Sequence, residues 1–80
     1  MNDLVGKKLD DYIIVSVYED MYFNGLVLGY KTEYKSNKIN ETWATWYYVT
    51  NEGKLKFCND GMTEKEAVKD FIDRIKNLME

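Results

Sequence analysis

Eighty residues make one domain, and 45% apolar with 31% charged residues is a globular balance, not a disordered one. One cysteine and no histidine exclude an intrachain disulfide and leave no ligand set for a tetrahedral zinc; no cofactor is expected. A net charge of −3 disfavours a general nucleic-acid binder, which carries a basic surplus.

Residues 1–11 read as a lead-in with charged, turn-like Gly6-Lys7-Lys8 and Asp10-Asp11. They lack the charged start and apolar core of a signal peptide. No apolar run approaches the ~20 residues of a membrane span. An unpaired cysteine fits a reduced, cytoplasmic setting.

Tyr12–Tyr18 is β-branched through its centre and predicts a strand. Strict alternation puts Ile13, Val15 and Val17 on one face and Tyr12, Ile14, Ser16 and Tyr18 on the other. The aliphatic set is assigned to the core. Met21-Tyr22-Phe23 follows in a connection and is apolar for a loop, so it either folds back or is offered to a partner.

Leu26–Tyr34 predicts the second strand. Gly29 inside it signals a bulge or a large ring close by, supplied by a tryptophan of the third strand. Residues 35–42 are polar and without period, which predicts an exposed, mobile hairpin loop.

The third strand, Trp43–Thr50, holds both tryptophans and is aromatic on both faces: Trp43 and Tyr47 on one, Trp46 and Tyr48 on the other. Asn51-Glu52-Gly53 suits a type I turn with a bulge into a fourth strand, Lys54–Cys58. In that register Val49 faces Leu55 and Tyr47 faces Phe57, while Trp46 and Tyr48 share a face with Lys54 and Lys56. A two-residue turn at Glu52-Gly53 inverts the faces.

Asn59–Met62 reads as a turn. Thr63 and Glu66 form a capping box. Ala67, Val68, Phe71, Ile72, Ile75, Leu78 and Met79 then recur at helical steps, predicting one amphipathic helix over 63–79 with Asp70 and Arg74 paired four apart.

Catalytic chemistry finds little support. Cys58 is the one plausible nucleophile and has no histidine to activate it, though Lys56 lies two residues away. Asp10-Asp11 and Glu19-Asp20 are adjacent acids that point apart on an extended chain. Gly25–Gly29 enters a strand and lacks phosphate-loop content.

The expected fold is α+β: an antiparallel meander of about four strands over 12–58, with the C-terminal helix on the aliphatic face. That leaves the second face, with Tyr12, Ile14, Tyr18, Trp46 and Tyr48, uncovered. An uncovered aromatic face implies a partner. Tyr22 and Phe23 edge that surface, and Lys54 and Lys56 flank it.

The size, the Lys/Asn/Tyr-rich usage and the bare start resemble, in style, small accessory proteins of AT-rich bacteria and their phages. The resemblance implies a non-catalytic module that binds and blocks a host protein. Two alternatives stand beside it. One is nucleotide or single-stranded nucleic-acid binding on the aromatic and lysine face; the other is a homo-oligomeric accessory protein.

Overall fold

The computed structural model describes residues 4–9, 11–19, 24–49 and 54–79. Five strands and one helix follow in chain order: β1 (Lys8–Leu9), β2 (Tyr12–Glu19), β3 (Asn24–Lys35), β4 (Lys38–Val49), β5 (Lys54–Met62) and α1 (Glu64–Met79). The strands form one antiparallel sheet in the order β1-β2-β3-β4-β5, an α+β meander as the sequence predicts, with five strands in place of about four. The extra strand comes from the lead-in, where Lys8 pairs with Ile13 and Leu9 with Tyr12.

β2 departs from strict alternation. Ile14 pairs with Gly29, Ser16 pairs with Leu28, and Val15 is the bulged residue between them. One extra residue reverses the phase of the strand. Tyr12 and Ile14 before the bulge therefore share a face with Val17 after it. The expected core trio is broken: Ile13 and Val15 are each 38% exposed, and the buried residues of β2 are Tyr12 and Ile14.

The sheet has two apolar faces and buries both. Under α1 lie Leu26, Leu28 and Trp43 with Ala67 and Phe71, joined by Tyr18, Tyr30, Tyr47, Met62, Ile75 and Leu78. On the opposite side lie Tyr12, Ile14, Val27, Ala44 and Trp46, joined by Leu4, Leu9, Val17 and Tyr48. This second face needs no helix because the sheet curls into a half-barrel around it and Leu4 and Leu9 close one side. The expectation of an uncovered aromatic face is thereby corrected.

The helix begins as its capping box predicts. The Thr63 N–H donates to Glu66 Oε1 at 3.1 Å, and the Glu66 N–H donates to Thr63 Oγ1 at 3.2 Å. Its apolar stripe is wider than its contact. Ala67 and Phe71 are buried, whereas Val68, Ile72 and Met79 stand on the exposed flank.

A polar lock fixes α1 to the sheet. Thr45, fully buried on β4, donates its hydroxyl to Asp70 Oδ2 at 2.5 Å. Asn59 Nδ2 donates to the same oxygen at 3.4 Å, and Arg74 Nε lies 3.1 Å from it. Arg74 also covers the Tyr47 ring, 4.9 Å from its centroid.

The last expectations concern register and turns. Val49 pairs with Lys54, Tyr48 with Leu55 and Tyr47 with Lys56, one residue away from the expected pairing of Val49 with Leu55. The connection at 50–53 lies outside the described residues, as do the side chains of Val49, Leu55 and Phe57. Two register shifts then let β5 run on through the predicted turn at 59–62, with Gly61 at φ 71°. The predicted loop at 35–42 is mostly strand. Only Ser36 and Asn37 turn, both at positive φ (51° and 64°), the geometry of a two-residue type I′ hairpin.

Candidate functional site

The expected binding residues are scattered by the fold. Trp46 is 4% exposed and Tyr12 6% exposed, so both rings are core. They meet edge to face, with centroids 4.9 Å apart. Tyr48 is half-buried on the same side, and Tyr18 is half-buried on the helix side. Lys56 is half-buried, paired in register with Tyr47 and not with the Trp46 face. The side chain of Lys54, and all of Tyr22 and Phe23, lie outside the described residues.

What reaches solvent instead is the outer part of the β3–β4 hairpin. β2 pairs with β3 only as far as Tyr30, and β5 pairs with β4 only as far as Trp43. Beyond those residues the two strands continue, with no other strand beside them among the described residues, as a ribbon with Lys31 paired to Thr42 through to Lys35 paired to Lys38. Twelve residues at ~3.3 Å each give strands of about 40 Å, which accounts for the molecule's longest dimension of 44 Å.

The ribbon has two chemically distinct faces. The helix-side face carries Tyr34 opposite Ile39, 78% and 64% exposed. The other carries Lys31, Glu33 and Lys35, with Glu33 between two lysines at 3.0 Å and 3.6 Å. A hydrogen bond from Lys31 holds the Glu33 carboxyl below its ordinary range, and the same contact raises Lys31. Lys31 also lies over the Tyr12 ring, 5.0 Å from its centroid, and so ties the root of the ribbon to the core. Burial raises the Tyr12 phenol; Lys31 opposes this, and Asp60 and Cys58 add to it.

Sequence reasoning found the β3 half of this surface, within the strand predicted at Leu26–Tyr34, and missed the β4 half in the stretch 35–42, because a strand with no buried face has no hydrophobic period to detect. The usable signal was Ser36-Asn37, since asparagine tolerates positive φ in a tight turn.

Other chemistry is sparse. Cys58 is exposed. Among the described residues no group of three His, Cys, Asp or Glu side chains is placed to hold a metal ion, and no buried side-chain polar atom lacks a partner. A shallow depression of about 330 Å³ beside Asp70 is lined by Met62, Glu66, Lys69 and Asp73. Among the described residues no helix is long and apolar enough to cross a membrane.

No protein family, curated protein or solved structure matches the chain.

Proposed function

We propose that this chain is a non-catalytic protein-binding module whose contact surface is the β3–β4 ribbon. The observation that carries the reading is the exposed Tyr34–Ile39 pair. A tyrosine and a branched aliphatic residue side by side on a projecting element have the composition of an interface anchor. An unpartnered two-stranded ribbon is marginal in water, and docking stabilises it. Its mode of action is steric: a docked ribbon covers a surface its partner would use otherwise. The stylistic likeness to phage accessory proteins supports an inhibitory role, and the single cysteine in the sequence supports a cytoplasmic one.

Nucleic-acid binding is the weaker reading. Base stacking needs open rings, and burial of Trp46 and Tyr12 removes the platform that suggested it.

The test is affinity capture from the source cell with the wild-type chain and with Tyr34→Ala/Ile39→Ala. The reading expects a stoichiometric partner that the double variant loses while its melting temperature stays unchanged. Capture that survives in the variant contradicts it.

A further inference from the structure

Among the described residues, neither edge of the ribbon has a further strand beside it. Residues 31–35 of β3 have no strand beside them among the described residues, because β2 ends its pairing at Tyr30. In a two-residue hairpin the closing pair, here Lys35 and Lys38, exchanges both main-chain hydrogen bonds. Alternate residues then turn their N–H and C=O groups outward. On this edge they are Thr32 and Tyr34. Such a row is a template for another strand.

The side chains select which strand. An antiparallel neighbour that is a second copy, related by a two-fold axis through Tyr34, sets Tyr34 opposite itself. It sets Glu33 opposite Lys35 of the copy, Lys35 opposite Glu33, and Thr32 opposite Ser36. The opposed charges are complementary on both sides of the axis. The alternative centred on Glu33 sets glutamate against glutamate and lysine against lysine, which disfavours it. The alternative centred on Thr32 needs Tyr30, whose outward groups Ile13 already takes. One register therefore satisfies charge and main chain together. In it Ile39, Tyr34 and their copies form one continuous apolar stripe across four strands, on the helix-side face.

We propose that the outer edge of β3 pairs with the same edge of a second copy through this register. The inference rests on the ribbon as contact surface and assigns its β3 edge to a second copy, which leaves the Tyr34–Ile39 face for the captured partner. An isologous contact of this kind closes as a dimer. Its area is well below the roughly 1,200 Å² of a standard interface, so association is weak, micromolar or looser.

Sedimentation from about 10 µM to 1 mM tests it, a range chosen to bracket that strength. Glu33→Lys and Lys35→Glu each set like charges across the axis twice. Each should weaken dimerisation by about tenfold or more. The double variant Glu33→Lys/Lys35→Glu restores opposite charges across the axis and should restore the dimer, though it also restores the pair within each chain. Mixing the two single variants sets lysine against glutamate at both positions across the axis while neither chain regains its internal pair, and should give a mixed dimer, which a merely structural role for either residue would not produce. Thr32→Pro removes an outward N–H without touching the β3–β4 ladder and should also weaken the dimer. A chain that is monomeric at all concentrations overturns the proposal, and so does a dimer indifferent to the single charge reversals or not rescued by the double one. If no dimer forms yet Tyr34→Ala/Ile39→Ala still loses a captured partner, the second-copy inference fails and the binding reading stands.

Discussion

Trp46 lies across Gly29. A Cβ placed on Gly29 would sit 3.3 Å from the Trp46 ring, 3.3 Å from Ile14 Cδ1 and 2.9 Å from the Ile13 carbonyl oxygen. The last atom is main chain and cannot swing away. Gly29→Ala is therefore expected to cost about 1–3 kcal/mol, the range for overpacking a filled core. Chemical denaturation measures it; an alanine variant as stable as wild type would mean that the ring is not seated there.

The same contact sets the roles of the two most suggestive aromatic residues. Trp46→Ala empties the concave core and should cost about 3–5 kcal/mol. Tyr34→Ala removes an exposed side chain and should change stability by no more than about 0.5 kcal/mol. Urea midpoints of the two variants check the contrast, and equal losses would refute it.

Thr45 is the buried end of the lock between sheet and helix. Thr45→Val keeps the shape and removes the hydroxyl that donates to Asp70. A hydrogen bond to a charged group contributes about 1.5–3 kcal/mol, and partial exposure of Asp70 puts this one at the lower end. Heat-induced unfolding followed by circular dichroism reads the loss.

The ribbon and its root carry a pH signature. Lys31 and Lys35 hold Glu33 below its ordinary value, so the folded state favours its ionised form. That stabilisation is present above the ordinary carboxylate range and disappears as pH falls through the lowered value. The difference in stability between wild type and Glu33→Gln should therefore shrink on acidification, and shrink further in salt. At the alkaline end the sign is opposite. Burial raises the Tyr12 phenol, and the Glu33 hydrogen bond raises Lys31. Both groups lose their protons first in the unfolded chain, so stability falls as pH rises past 10. Tyr12→Phe should flatten part of that fall in a pH series of melting temperatures.

Much of this architecture was legible from residue patterns, because most elements carry local signals. Thr63 and Glu66 announced the helix, and of the two readings of Gly29, a bulge or a ring close by, the ring is the one found. What was not legible depends on single residues without a local signature. Val15 has the composition of any strand residue, yet as a bulge it reverses which half of β2 is buried. The curl that covers Trp46 is a property of the whole sheet. The surface predicted from Trp46, Tyr48, Tyr12 and Tyr18 followed from treating the sheet as flat. The β4 half of the ribbon that replaces it, residues 38–42, is polar apart from Ile39, and such a stretch shows no period.

The most direct test of the β3 edge as a self-pairing surface is amide hydrogen exchange at Thr32 and Tyr34 over a concentration series. Their N–H groups point outward in the isolated chain and are bonded in the paired one. The account predicts fast exchange at both when dilute, with protection growing at high concentration while the amides of Leu26 and Leu28 stay unchanged. Exchange at Thr32 and Tyr34 that does not depend on concentration would contradict it.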